Sequence, residues 1–272
     1  MGAQTWTIRD VLDWATKDFE GRGIESARLD AELLVAEALG IERIGLYLDL
    51  NRPLLEGERD AIRPLIARRR EREPVAYILG RRDFYGRRFS VTQDVLIPRP
   101  DTETLVECAL GRIADEGVVR VLDVGTGSGA IAITLAAERP NTEVTATDIS
   151  EGALRVAEDN AMRLGVADRI RFERADLMGD NGPYDVIVSN PPYIKTGDLD
   201  DLEPEVRIHE PTAALEGGVD GLDVVRALLA RAATATEEGA DLVIEVGAGQ
   251  ASDVEALARD SSAWSHEATH VD

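Results

Sequence analysis

The chain has 272 residues, 44% hydrophobic and 30% charged, a globular balance that excludes disorder and low complexity. No apolar run approaches the roughly 18 residues a membrane span needs, and the first ten residues show no basic patch followed by an apolar core. Cys108 is the only cysteine, which excludes an intramolecular disulfide and a thiolate zinc site, and three scattered histidines predict no metal centre.

These features point to the cytoplasm. The net charge of −22 belongs wholly to the C-terminal part: residues 1–100 hold 17 acids and 17 bases, residues 101–272 hold 35 and 13. Such a surface repels phosphate backbones, so no direct nucleic-acid binding is expected there. Lys17 and Lys195 are the only lysines. An acid-rich, lysine-poor composition suits a cytosol of high salt; a GC-rich genome produces the same bias.

Residues 1–75 read as a helical bundle. Thr7 can cap a first helix through Leu12, Trp14 and Ala15. A second runs from Ser26 to the glycine stop at Gly40, with apolar positions 29, 33, 34, 36 and 38 at mainly helical spacing. A third spans about Glu56 to Arg72, presents Ile62, Leu65 and Ile66 on one face, and is ended by Pro74. From Ala76 to Val95 the period changes, and the turn signals at Gly80 and Gly86 predict a hairpin linking two domains. Eight arginines between Arg68 and Arg88 face three acids, making either a solvated linker or a docking surface for an acidic or RNA-associated partner.

From residue 96 to 272 strands and helices alternate. The strands are predicted at Arg120–Val124, Glu143–Thr147, Ile170–Glu173, Tyr184–Ser189 and Asp241–Val246, and the helices at about 102–115, 129–138, 151–164 and 221–236. That pattern predicts an α/β fold, a mainly parallel sheet covered on both faces.

Val121-Leu-Asp-Val-Gly-Thr-Gly-Ser-Gly-Ala130 reads as a strand, a glycine-rich turn and a helix start. Gly125, Gly127 and Gly129 let the backbone approach a ligand where a Cβ would clash. Gly125, Gly127 and Ala130 also fit the dinucleotide pattern G-x-G-x-x-A, so a nicotinamide enzyme is one reading. Asp148, 23 positions after Gly125, can accept hydrogen bonds from both ribose hydroxyls of an adenosine cofactor, nicotinamide or other. Asp176 can reach the adenine edge with Leu177 against the ring, or it can be an ordinary helix cap.

The fourth strand separates the two cofactor classes. It runs directly into Asn190-Pro191-Pro192-Tyr193, where two prolines stiffen the backbone at the carboxyl end of a strand. Carbonyls held there, and the Asn190 side-chain oxygen, can accept from an –NH2 group, while Tyr193 offers a flat face for a planar amide or base. Such a nitrogen is a weak nucleophile, so catalysis would rest on aiming its lone pair at an activated methyl. Hydride transfer gives this motif no role.

Over almost its whole length the chain resembles the peptide chain release factor N(5)-glutamine methyltransferases. The resemblance is carried by Asp30–Leu34, Glu73-Pro-Val-Ala-Tyr-Ile-Leu-Gly80, Phe84-Tyr-Gly86, Leu96-Ile-Pro-Arg-Pro-Asp-Thr-Glu103, the glycine turn, Asn190–Tyr193 and Glu205-Val-Arg207. Glu210-Pro211, Ala214-Leu215, Gly217-Gly218 and Asp220-Gly-Leu222 extend it. It implies a Rossmann-like class I methyltransferase sheet using S-adenosylmethionine, and a helical domain that grips a class I release factor. By the resemblance Gly125, Thr126, Gly127, Ser128, Gly129, Asp148 and Leu177 bind the cofactor, with Asn190 touching both cofactor and substrate. Asn190, Pro191, Pro192 and Tyr193 hold the glutamine of the factor's Gly-Gly-Gln loop. Arg99 and Glu103 shape the entrance, or else form a structural Arg–Glu pair. A single chain is expected to act alone.

The resemblance also implies a seven-stranded sheet closed by a hairpin, for which Trp264–Val271 is the candidate first strand. A ribosomal-protein glutamine methyltransferase has a similar layout. A nucleic-acid amino-group (adenine or guanine) methyltransferase shares Asn-Pro-Pro-Tyr but calls for a basic cleft. A non-enzymatic cofactor-binding module is disfavoured by the intact substrate motif.

Overall fold

The computed structural model describes residues 6–179 and 182–271. Helices α1 (Ile8–Glu20), α2 (Ala27–Leu39), α3 (Arg43–Leu48), α4 (Glu56–Arg70) and α5 (Val75–Leu79) precede strands β1 (Arg81–Phe84) and β2 (Arg87–Ser90). Next come α6 (Thr102–Leu110), β3 (Val119–Val124), α7 (Ala130–Glu138), β4 (Thr142–Asp148), α8 (Glu151–Leu164), β5 (Ile170–Arg174) and β6 (Tyr184–Ser189). The short α9 (Pro204–His209), α10 (Asp223–Ala235), β7 (Thr236–Ile244) and α11 (Ala251–Asp260) follow. No described helix is long and apolar enough to cross a membrane.

The chain divides into two compact units, of which the helical one runs to Gly80 and also takes in Pro204–His209. Helix α1 opens with a capping box: Thr7 Oγ1 accepts from the Asp10 N–H at 3.2 Å and the Asp10 carboxylate accepts from the Thr7 N–H at 2.9 Å. Its apolar face, with Leu12 and Phe19, packs into one core with Leu34 of α2 and Ile62 and Ile66 of α4. Helix α2 departs from the periodic reading. Leu29 is 41% exposed, whereas Asp30 and Glu32 are buried. Each buried acid has an arginine at 2.7 Å, Arg69 for Asp30 and Arg28 for Glu32, and paired charge is what allows a carboxylate inside.

Arg69 is itself buried and reaches Glu205 of α9 at 2.7 Å, and Arg72 holds the same carboxylate at 2.5 Å. This cluster ties α9 to the helical unit. Within the arginine-rich stretch Arg69 and Arg72 are thus drawn into the packing, while other arginines form ion pairs nearer solvent. Arg68 pairs with Glu73, Arg70 with Asp18, Arg87 with Glu138 and Arg88 with Asp83.

The second unit begins at Arg81. A hairpin over the whole of 76–95 does not form. Pro74 opens a single helical turn at Val75–Leu79, and Gly80 stops it in the left-handed region at φ +68°. The hairpin proper, β1–β2, buries Phe84 and Phe89 in the core shared with α6 and α7. It is part of the sheet unit rather than a linker.

The sheet has the order β5-β4-β3-β6-β7, parallel throughout. Its central strands β4, β3 and β6 are buried along most of their length, as expected where helices cover both faces. Strand β7 begins at Thr236 and ends at Ile244, earlier at both ends than the predicted 241–246. Its first half is polar, which an edge strand tolerates, and its register slips between Tyr184 and Val186 of β6. Helix α6 ends at Gly111 instead of continuing to 115. Trp264–Val271 is no strand: Trp264 donates from Nε1 to the Leu229 carbonyl at 3.0 Å and its ring joins the apolar cluster of α10 and α11. Residues 265–271 are exposed and carry no alternating apolar face for a sheet to bury. Among the described residues the sheet has five strands, not seven.

Replacing Arg69 by methionine keeps the packing of its stem but leaves Asp30 and Glu205 facing each other without their shared cation. The expected loss is about 3–5 kcal/mol, read as an earlier denaturant midpoint. Glu205→Gln should cost less, because Asp30 then keeps its partner.

Candidate active site

The site is built where β3, β4 and β6 end side by side. Pairing of Val124 with Ser189 and of Val124 with Thr147 brings the glycine turn, Asp148 and Asn190 to one edge of the sheet. The turn hangs on β4: the N–H groups of Gly125 and Thr126 both donate to the Thr147 carbonyl at 2.9 Å. Gly125 and Gly127 have φ of +74° and +56°, and a Cβ on either would meet nothing within 4 Å. Their requirement for glycine is conformational, and the space before them is open. Gly129, at φ +80°, is different, since a Cβ there would lie 2.7 Å from Ile133 and 3.1 Å from Ala157. It allows α7 to pack against α8. Ser128 is buried, and its carbonyl accepts from Asn160 Nδ2 at 2.9 Å.

Asp148 stands at the tip of β4, half-buried. Its Oδ2 accepts from the Gly127 N–H at 2.9 Å and its Oδ1 from the Ser150 N–H at 2.8 Å. It thus shapes the turn, and each oxygen keeps a further lone pair for a ligand. Asp176 is exposed and caps no helix, because residues 175–179 are irregular. Leu177 is half-buried at φ +68°, a left-handed conformation unusual for a branched side chain, and its carbonyl accepts from Thr147 Oγ1 at 2.5 Å.

Asn190 leaves β6 with Pro191 buried behind it. Its Nδ2 donates to Thr102 Oγ1 at 3.1 Å. That contact holds the Asn190 side chain against α6 at the strand end. Pro192 and Tyr193 are half-buried. After them the chain zips onto residues 215–218, with the Ile194 N–H donating to the Leu215 carbonyl at 2.9 Å and the Gly217 N–H to the Ile194 carbonyl at 2.8 Å. A cleft of about 790 Å³ opens beside Tyr193, but none of the glycine-turn residues lines it. The loops that carry the candidate site residues converge at the strand ends rather than in that cleft.

Arg99 and Glu103 do not pair with each other. Arg99 Nη2 donates to the buried carboxylate of Glu210 at 2.6 Å, and Glu103 accepts from the Tyr85 N–H at 2.8 Å. Glu103 therefore pins the hairpin turn to α6.

Two residues of the site escaped the sequence reading. Thr102 orients Asn190. Asp123, fully buried at the end of β3, accepts from Thr126 Oγ1 at 2.7 Å and from the Ala132 N–H at 3.1 Å, both on Oδ2, while Oδ1 has no partner. Burial pushes its carboxyl up to about 7, helped by the charge of Asp148 and opposed by the two donors. A single acid inside the apolar run Val-Leu-Asp-Val was the available signal.

The first 80 residues and the sheet unit match separate family models: PrmC N-terminal domain over residues 10–80 and Methyltransferase small domain over 102–218. The crystal structure of the hMettl16 catalytic domain superposes with a TM-score of 0.52 at 16% identity, covering 64% of this chain and 66% of that one, a likeness of fold alone. The release factor glutamine methyltransferase of Chlorobaculum tepidum is 41% identical over 265 residues, 93% of this chain and 90% of its own. That of Geobacter sulfurreducens is 47% identical over 254 residues, 92% of this chain and 88% of its own. Identity of that order, sustained across both units, means that the chain belongs to the release factor glutamine methyltransferase family.

Proposed function

We propose that the protein transfers a methyl group from S-adenosylmethionine to the side-chain amide nitrogen of the glutamine in the Gly-Gly-Gln motif of class I peptide chain release factors. The observation that carries this reading is Asn190, held by Thr102 at the strand ends beside the glycine turn in a chain of this family. The residues present fit the cofactor: two glycines of positive φ face open space, and Asp148 is held at the neighbouring strand tip. Gly125 to Gly129, Asp148, Asp176 and Leu177 would hold it. When bound, it supplies an electrophilic methyl.

The rest is orientation. The amide nitrogen of a glutamine has a delocalised lone pair, and both its protons need acceptors if that lone pair is to point one way. Asn190 Oδ1 can take one proton and a backbone carbonyl of the stiffened Asn-Pro-Pro segment the other, while the Tyr193 ring supports the amide plane. These acceptors strengthen their hold as the nitrogen gains positive character. Thr102 holds the Asn190 side chain in place through its hydroxyl. Asp123 holds Thr126 and the start of α7, and so the curvature of the turn.

The helical unit up to Gly80, with α9, would grip the release factor, and Arg99 and Glu103 would support the entrance through the segments they anchor. The acidic excess of residues 101–272 supports action without direct nucleic-acid contact, and the protein is read as acting as a single chain. The reading places the activity in the cytoplasm, where translation presents the substrate.

The test is intact-mass analysis of a class I release factor incubated with the protein and S-adenosylmethionine, with a factor whose Gly-Gly-Gln glutamine is alanine as control. One added methyl group, absent from the control, is expected; no transfer despite bound cofactor would overturn the proposal. Asn190→Ala should lower transfer by on the order of 10²-fold with the cofactor still bound in calorimetry. Thr102→Val should lower it about tenfold, a partial loss of orientation. Asp123 has its folded pKa raised from 3.8 to about 7, so the folded state prefers the neutral acid. Its contribution is full below the unfolded value and is lost as pH rises through about 7. Asp123→Asn should therefore gain in melting temperature over the parent between pH 5 and pH 8, through the fading of the parent rather than a change in the variant.

A further inference from the structure

Gln250 lies at the start of α11, far in sequence from Asn190–Tyr193, and is 9% exposed. Its side chain makes three contacts with backbone. Nε2 donates to the Tyr193 carbonyl at 3.1 Å and to the Gly221 carbonyl at 3.4 Å, and Oε1 accepts from the Gly247 N–H at 2.8 Å. Two donors and one acceptor at the end of a two-methylene stem describe a glutamine. A carboxylate would set negative charge against two carbonyls, and an ammonium could not accept from Gly247.

The surroundings are built around that contact. A Cβ on Gly221 would come within 2.3 Å of the Tyr193 carbonyl oxygen and 2.7 Å of Gln250 Nε2. One on Gly247 would meet Gln250 Oε1 at 2.9 Å and Tyr193 Cδ2 at 3.1 Å. One on Gly217 would sit 2.7 Å from the Pro192 carbonyl oxygen. Three glycines thus let three strips of backbone close on the last two residues of the motif, and Gln250 is the side chain that fastens them together.

We propose that Gln250 is a positioning residue for methyl transfer: by holding the Tyr193 carbonyl from behind, it fixes the ring of Tyr193 and the acceptors of Asn-Pro-Pro-Tyr at the height where they align the substrate amide. The inference rests on the functional reading above. Asn190 is secured at the front of the motif by Thr102, and Gln250 secures the other end. With its donor removed, the turn keeps its prolines but the Tyr193 carbonyl loses this tie, so the amide binds in more orientations than the productive one.

The experiment compares the parent with Gln250→Leu, Gln250→Glu and Gly247→Ala on an intact class I release factor. It measures kcat, KM for the factor, and the affinity and stoichiometry of S-adenosylmethionine binding by calorimetry. Both Gln250 variants should lose about tenfold or more in kcat, Glu more than Leu. Cofactor affinity should stay within about twofold of the parent at the parent's stoichiometry, because the glycine turn does not depend on Gln250. Gly247→Ala should show the same pattern through Tyr193, and Gln250→Leu combined with it should lose less than the product of the two single losses.

A kcat within about twofold of the parent in Gln250→Leu would overturn the inference. So would a parallel fall in kcat, cofactor affinity and folded fraction, which would make Gln250 a support of the fold alone; failure of the Gln250 variants to fold counts the same way. If the parent transfers no methyl group to the factor, the functional reading falls first and this inference with it; transfer by the parent with unchanged variants sinks only the role of Gln250.

Discussion

The pairing of β3 with β6 is the constraint on which the site depends. Residues Val121–Val124 lie against Val186–Ser189 in parallel register, and Ser189 Oγ donates to the Val124 carbonyl at 2.8 Å to lock the last pair. From β3 the chain builds outward to β4 and β5, then returns across the sheet to lay down β6 and β7. At that reversal the loops leaving β3 and β6 turn toward opposite faces and open a crevice at the carboxyl edge. A slip of one residue would rotate every β6 side chain to the other face and move Asn190 away from the glycine turn.

Around that crevice, short chain segments are held by polar contacts that mostly reach far along the sequence. Thr102 meets Asn190 from a helix 88 positions upstream, and Gln250 meets Tyr193 from 57 positions downstream. Arg99 is joined to Glu210 across 111 positions. The segment that follows Tyr193 passes through α9, which the Arg69–Glu205 and Arg72–Glu205 contacts assign to the helical unit, and comes back as residues 210–218 to pair with Ile194. The Asn-Pro-Pro-Tyr segment is thus followed by a stretch in which Glu205 and Glu210 are each held by an ion pair.

The parts of this arrangement that were legible in the sequence are those with a local signature. The apolar strands of the sheet, the glycine turn with its Asp148 and the stiffened Asn-Pro-Pro-Tyr exit each announce themselves within a few residues. What escaped had no such signature. Asp30 and Glu32 interrupt the apolar face of α2 and read as solvent positions until their arginines are seen. The polar start of β7 reads as a loop because an edge strand need not be apolar on both faces. Trp264 looked like the start of a strand, yet its indole is satisfied by a helix carbonyl and its successors have nothing to bury. Thr102 and Gln250 are ordinary polar residues whose significance lies wholly in partners that only the fold supplies.

The chemistry explains why such partners matter more here than perturbed acids and bases. A carboxamide nitrogen is not made nucleophilic by a neighbouring base at ordinary pH; it reacts only if its two protons are engaged and its lone pair is aimed. The group in the crevice with a strongly raised pKa, Asp123, has no free access to a ligand through Oδ2, which is committed to Thr126 and Ala132. It serves the shape of the turn. On the proposed reading, what the motif offers a substrate is a set of oxygen acceptors, and an acceptor is useful only if it cannot rotate away. The Asn190 side chain is held by one hydrogen bond, and the Tyr193 carbonyl is tied down by another. Two prolines remove the freedom between them. The site is stiff because its reaction has little besides orientation to draw on.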